Sequence, residues 1–252
     1  MLPVINLGFI SLDAYSFFMV CGFYFAFLYA LFFLKNYKTK FVTEKELYFI
    51  LACLFFCAMF GAKAAFLFAE RPDIFLQDPL SIFKIWEGGF VYYGGLIGAV
   101  CGVYIYLKIR KISVVLFSDM LAVCLAINVF FIRTGCLFAG CCYGKETSLP
   151  WGLKFSAGAP LHPTQIYEMA GAFALFLFLH FYNKKNFGRG KTLALFLCGY
   201  SLIRFAIEFL RGDERGAYHF GLSVSQNISI AVFAVAAIIF YKADKNARND
   251  NV

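Results

Sequence analysis

Charge is what this chain has least of. Only 15% of its 252 residues are Asp, Glu, Lys or Arg, while 62% are hydrophobic and 20% aromatic. Soluble globular domains carry about 25% charged residues, so a water-soluble fold is excluded and an integral membrane protein is implied. The formal net charge is +8, yet no basic block is present; most Lys and Arg sit in short turns between apolar runs. That distribution sets membrane orientation and excludes a nucleic-acid surface. No Lys or Arg precedes Lys35, so the charged n-region of a cleavable signal is missing and the first apolar run is expected to be a retained span. The alternation of a transmembrane β-strand is absent too, which leaves helices. There is no internal repeat. The nine cysteines form no framework: Cys21, Cys53, Cys57, Cys101, Cys124 and Cys198 lie in apolar runs, where Cys acts as a small hydrophobe.

Seven apolar stretches are long enough, or nearly so, to span a bilayer: Ala14–Leu34, Leu47–Ala69, Phe90–Leu107, Val114–Ile132, Ile166–Tyr182, Thr192–Leu210 and Leu222–Tyr241. The expected fold class is therefore all-α, a single transmembrane domain over residues 1–252 with about seven transmembrane helices. Alternate connections, with the C-terminal tail, hold 14 Lys and Arg, against 7 in the opposite set. The positive-inside bias predicts an outward N-terminus, an outward central stretch and a cytoplasmic C-terminus.

The central stretch, Arg133 to Glu168, packs Arg133, three cysteines, Lys145, Glu146, His162 and Glu168 into 36 residues punctuated by Gly and Pro. Polar, irregular backbone is tolerated at membrane depth only when buried in protein or lining a cavity, so this outward loop is the candidate site. Arg133 ends an apolar run, where its guanidinium could grip a phosphate or simply snorkel. Cys136, Cys141 and Cys142 lack the paired C-x-x-C spacing of a zinc site; packing, a disulfide and a metal role stay open, and no metal is expected. His162, before Pro163, is the candidate titrating group, with structural hydrogen bonding as the alternative. Gln165 and Glu168 open the next helix.

Two further groups stand out. In EGGFVYYGGLIG, Gly88, Gly89, Gly94, Gly95 and Gly98 permit close backbone approach, to a ligand or to another helix, and Tyr93 stands among them. In the sixth stretch, Tyr200, Arg204, Glu208 and Arg211 are spaced by four, four and three and so share one helix face. Charges there cost about 2.5–3.5 kcal/mol on insertion scales, so Arg204 and Glu208 must face the interior and each other or the central loop. Lys63, alone in the second stretch, is expected to snorkel or to pair with a glutamate.

Taken together, YYGGLIG (Tyr92–Gly98), R-x-G…G-x-x-x-G (Arg133–Gly144), LPWGLKF (Leu149–Phe155), HPTQIYE (His162–Glu168) and Y-x-x-x-R-F-x-x-E-F-x-R (Tyr200–Arg211) resemble the prolipoprotein diacylglyceryl transferase family, with Tyr15 in the place of a family tyrosine. The resemblance implies a bacterial inner-membrane enzyme without cofactor. Its donor would be phosphatidylglycerol and its acceptor the lipobox cysteine of a prolipoprotein; it would form a thioether and release glycerol phosphate. It also implies Arg133, Arg204, His162 and Tyr93 as catalytic candidates. Tyr15, Gly94, Gly95, Gly98, Cys136, Cys141, Gly144, Gln165, Glu168, Tyr200 and Glu208 become substrate-binding candidates. This chain has Tyr93, Cys136 and Cys141 where the family pattern usually has histidine, asparagine and glutamate. The group that takes the thiol proton stays open among His162, a cysteine thiolate near Arg133, Tyr93 beside a cation, and no protein base. Transfer of a lipid-derived group to another acceptor, or lipid binding without turnover, are the alternatives.

Overall fold

The computed structural model describes residues 4–6, 11–36, 41–155, 158–212 and 221–249. Lys38, Lys40 and Arg215, which enter the charge count, lie outside the described residues. Two compact units emerge, one from residues 1–37 and 115–252, the other from 38–114.

In the larger unit a short antiparallel ribbon, β1 (Val4–Asn6) with β2 (Ser11–Asp13), pairs Ile5 with Leu12; the sequence gives no alternation that foretells it. Asp13 then accepts a hydrogen bond from the Ser16 amide (2.8 Å) and so starts α1 (Ala14–Asn36) in the manner of a helix cap. The remaining helices of this unit are α5 (Val114–Ala139), α6 (Thr164–Asn186), α7 (Lys191–Glu208) and α8 (Val224–Asn249). α1 lies on α5 through Gly22, where a Cβ would press on Phe131 and the Asn128 carbonyl, and through stacked Phe18–Phe138 and Phe25–Phe131 pairs. It meets α6 where the Tyr29 hydroxyl and His180 Nδ1 are 2.9 Å apart.

The α6–α7 turn is fixed by a residue from elsewhere. Asp119, fully buried on α5, accepts hydrogen bonds from the amides of Gly188 (3.1 Å), Gly190 (3.0 Å), Thr192 (3.1 Å) and Leu193 (3.4 Å). The amides at the start of α7 have no acceptor within the helix, and a carboxylate there also meets the positive end of the dipole. Gly188 and Gly190 take left-handed φ values of 83° and 71°, which suits glycine.

The smaller unit is a helical pair. A capping box, with Glu46 N to Thr43 Oγ1 at 3.2 Å and Thr43 N to Glu46 Oε2 at 2.9 Å, opens α2 (Glu44–Ala65), which runs into a π-helical turn at Phe66–Glu70. The short α3 (Pro72–Gln77) and two 3₁₀ turns lead to α4 (Tyr92–Ile109). Gly94, Gly98 and Gly102 follow one face of α4 against α2, with Gly61 opposite: a Cβ on Gly61 would lie 2.5 Å from the Gly94 carbonyl and 2.9 Å from Gly98 Cα. Gly95 sits beside them, where a Cβ would come 3.2 Å from the Ala58 carbonyl. The backbones approach as in small-residue membrane helix pairs, so Gly94, Gly95 and Gly98 serve helix contact. Lys63, 3% exposed, donates to the Gly88 carbonyl (2.7 Å) and lies over the Phe66 ring.

Among the described residues, five helices are long and apolar enough to cross a membrane: Ala14–Asn36, Glu44–Glu70, Val114–Ala139, Thr164–Asn186 and Val224–Lys245. α4 is a shorter apolar helix, and α7, at 18 residues, carries Lys191, Arg204 and Glu208. The outward faces are apolar, with Phe49, Val20, Ile97 and Ile109 among the residues more than 60% exposed, as expected for contact with lipid. The chain is an all-helical, multi-pass membrane protein.

Candidate active site

α5 continues through Arg133 and Gly135 to Ala139, although Gly135 and the end of the apolar run suggest an earlier stop. Gly135 packs on the start of α1, where a Cβ would stand 3.2 Å from both Tyr15 Cα and Phe18 Cβ. That contact holds the extra turns and sets Tyr15 beside them. Four helix ends of the larger unit contribute to one cluster: the last turns of α5 and α7 and the first turns of α6 and α8.

Glu168 on α6, 1% exposed, is its centre. Its Oε1 lies 2.9 Å from Arg133 Nε, at an angle that makes an ion pair rather than a hydrogen bond, and accepts a hydrogen bond from the Tyr200 hydroxyl (2.8 Å). Its Oε2 is 3.6 Å from Arg204 Nη1. Arg204 continues through Nη2 to Glu208 Oε2 (2.9 Å) and Ser225 Oγ (3.1 Å), and Arg211 Nε approaches the same Glu208 oxygen at 3.9 Å. The expected pairing of Arg204 with Glu208 and with the central stretch is thus what the structure shows. Signs alternate along Arg133–Glu168–Arg204–Glu208–Arg211.

Among the described residues, three buried polar atoms of this cluster lack a hydrogen-bond partner: the donors Arg133 Nε and Arg204 Nη1, and the acceptor Gln165 Oε1. Gln165 is otherwise engaged, its Nε2 donating to the Cys141 carbonyl (2.6 Å). Buried polar groups without partners cost about 1–3 kcal/mol each, so they mark where a ligand's acceptor and donor would be welcome.

The loop beyond α5 is folded against the same helix ends. Gly144 N donates to the His162 carbonyl (2.8 Å), His162 N to the Lys145 carbonyl (2.9 Å), and Lys145 N to the Leu210 carbonyl (2.8 Å). A Cβ on Gly144 would fall 2.5 Å from the Leu210 carbonyl and 2.6 Å from His162 Cβ, so this position demands glycine. The His162 ring faces Tyr167, whose hydroxyl is 3.3 Å from Nδ1 and also accepts from Trp151 Nε1 (2.8 Å); its described contacts do not reach Arg133 or Glu168. Cys136 Sγ is 3.8 Å from Arg133 Nη1. Burial pushes the Cys141 thiol above its usual range, the opposite of the lowered pKa that a thiolate beside Arg133 was expected to have.

Tyr93, Gly94, Gly95 and Gly98 belong to the smaller unit; Tyr93 is 61% exposed. Sequence reasoning missed Ser223 and Ser225. Ser223 exchanges hydrogen bonds with Gln226 in a capping box that opens α8 (3.0 and 3.2 Å) and donates to Glu208 Oε1 (2.9 Å). The S-x-x-Q pattern before an apolar run is the signal that could have found it. On the outer side of α7 and α8, an apolar groove of about 200 Å³ is lined by Ser201, Leu202, Phe205, Ser229, Ile230 and Phe233.

Comparison with known proteins gives a family match over residues 3–242, to prolipoprotein diacylglyceryl transferase. Among similar proteins, the phosphatidylglycerol–prolipoprotein diacylglyceryl transferase 2 of Clostridium perfringens is 38% identical over 221 residues, 85% of each chain. The enzymes so named from Clostridium tetani and Pasteurella multocida are 38% and 34% identical, covering 71% and 74% of this chain and 74% and 72% of their own lengths.

Proposed function

The chain belongs to the prolipoprotein diacylglyceryl transferase family, and from that premise we propose that it transfers the diacylglyceryl group of phosphatidylglycerol to the lipobox cysteine of a prolipoprotein. The acceptor sulfur forms a bond to the glycerol carbon of the donor as that carbon's bond to phosphate oxygen breaks. The thiol proton is lost, the bonding pair leaves with the phosphate, and the products are a thioether and glycerol phosphate. No change of oxidation state is involved.

The observation that carries this reading is the buried Arg204 Nη1 without a hydrogen-bond acceptor, on the same carboxylate as Arg133, whose buried Nε likewise lacks one. A leaving phosphate gains negative charge in the transition state, and fixed cations in a dry site stabilise it most there. Arg133 and Arg204 hold the phosphate oxygens. Glu168 positions both guanidinium groups, and Tyr200 and Glu208 hold Glu168 and Arg204 in turn. Gln165 Oε1 accepts from a donor hydroxyl. The α7–α8 groove receives an acyl chain. Tyr15, Cys136, Cys141 and Gly144 border this place through α1, the end of α5 and the loop. Tyr93, Gly94, Gly95 and Gly98 enter through the family resemblance alone, and His162 remains the candidate for the thiol proton. The count of seven spans, the outward N-terminus and loop, and a bacterial inner-membrane location complete the proposal, supported by the charge asymmetry of the connections.

The test is incubation of the purified protein with phosphatidylglycerol and a lipobox peptide. Release of glycerol phosphate together with a peptide heavier by one diacylglyceryl group is expected. Lipid binding without either product would contradict the reading; release of glycerol phosphate with an unmodified peptide would point to another acceptor.

A further inference from the structure

Three thiols meet at the end of α5. The Sγ atoms of Cys136, Cys141 and Cys142 all lie within 4.8 Å of one another, and none of the three is in a disulfide. Cys136 is buried and its neighbours are half-buried. The arrangement is held from several directions. The Cys141 amide closes the last turn of α5 onto the Cys136 carbonyl (3.1 Å). Cys142 adopts a left-handed φ of 66°, which non-glycine residues rarely take. From α6, Gln165 Nε2 and Thr164 Oγ1 donate to the carbonyls of Cys141 and Cys142, each at 2.6 Å. Two adjacent loop residues are thereby anchored over a third on the helix.

Metal–sulfur bonds of about 2.3 Å around one cation in a plane place three sulfurs about 4 Å apart, within the spread observed. A disulfide would draw two of them to about 2.05 Å and leave the third unused. Thiolates are soft donors that favour d¹⁰ cations such as zinc or cuprous copper. We propose that Cys136, Cys141 and Cys142 form a binding site for one thiophilic d¹⁰ metal cation. On binding, each thiol gives its proton to solvent as its sulfur bonds the metal, and no electron is transferred. With a divalent ion the three thiolates leave one negative charge, and Arg133, whose Nη1 is 3.8 Å from Cys136 Sγ, stands where it offsets that charge. This site does not depend on the transferase reading, which needs no metal.

Cadmium is the spectroscopic probe for the test. The full chain, in detergent with a non-chelating phosphine reductant, is titrated with Cd²⁺, and zinc and cuprous ions then compete in separate arms. A sulfur-to-cadmium absorption band saturating at one ion per chain is expected. Cys136→Ser, Cys141→Ser and Cys142→Ser should each weaken binding by at least about tenfold. Cys53 and Cys57, whose sulfurs are 3.7 Å apart in the smaller unit, are the control pair, and Cys57→Ser should leave the band unchanged. Should the variants fold poorly, alkylation of the wild type answers the same question: the metal should protect Cys136, Cys141 and Cys142 and not the exposed Cys101. Absence of one-to-one binding overturns the proposal. So does a band that survives all three substitutions or vanishes in Cys57→Ser, or protection that falls on other cysteines.

Discussion

Glu168 pairs with two arginines at once. Its carboxylate oxygens divide the work, Oε1 toward Arg133 and Tyr200, Oε2 toward Arg204. Replacing it by glutamine keeps the shape and removes the charge, so two buried guanidinium groups lose the anion that aims them. Removing one partner of a buried pair costs about 3–5 kcal/mol. Glu168→Gln is therefore expected to lower the thermal midpoint in detergent and to reduce turnover at least tenfold at matched protein concentration. Unchanged turnover would mean that the arginines are positioned without it. Glu168 was visible in the sequence as a member of HPTQIYE, but its partners were not. Arg133 and Glu168 lie on different helices with the whole central loop between them, and no local periodicity links residues so far apart. The Tyr200, Arg204 and Glu208 face was legible because α7 holds it and its spacing is the helix period, whereas Arg211 lies just past the helix end, bridged to Gly144.

At the scale of elements, the apolar runs gave the long helices and missed how they are pinned. Asp119 lies in the fourth run, where a single carboxylate draws no notice, yet it satisfies four amides around the α6–α7 turn. Asp119→Ala is expected to cost about 3 kcal/mol or more, since hydrogen bonds to a charged group contribute roughly 1.5–3 kcal/mol each and the freed amides are buried at Thr192 and half-buried at the other three. A fall in the midpoint of thermal unfolding checks this; an unaltered midpoint would show that water replaces the carboxylate. α5 outran its apolar stretch because tertiary contact of Gly135 with Tyr15 and Phe18 overrode the local stop signal. The isolated bridges Glu146–Leu161, Leu153–Leu161 and Gly144–Arg211 could not be read, since they join single residues without any alternating pattern and one partner lies past the end of α7. In the smaller unit, Gly98 lies where a Cβ would collide with the Cys57 carbonyl. Gly98→Leu is expected to separate α2 from α4 and to lower yield of folded protein, measured by size-exclusion chromatography. A monodisperse variant at wild-type yield would contradict the close seam.

For the whole molecule, the Lys and Arg asymmetry of 14 to 7 predicts that the loop after α5 lies outside the cytoplasm. A cysteine introduced at the exposed Ser148 should react with a membrane-impermeant reagent in intact cells whose outer membrane, where present, has been permeabilised; reaction only after lysis would invert the topology. The central claim is that the arginine row holds the donor phosphate. It is tested most directly by kcat/KM for transfer from phosphatidylglycerol to a lipobox peptide in Arg133→Gln and Arg204→Gln, at matched folded protein. Losing one charged hydrogen bond at roughly 1.5–3 kcal/mol predicts a fall of about tenfold to a hundredfold in each. Wild-type kcat/KM in both variants would contradict the account.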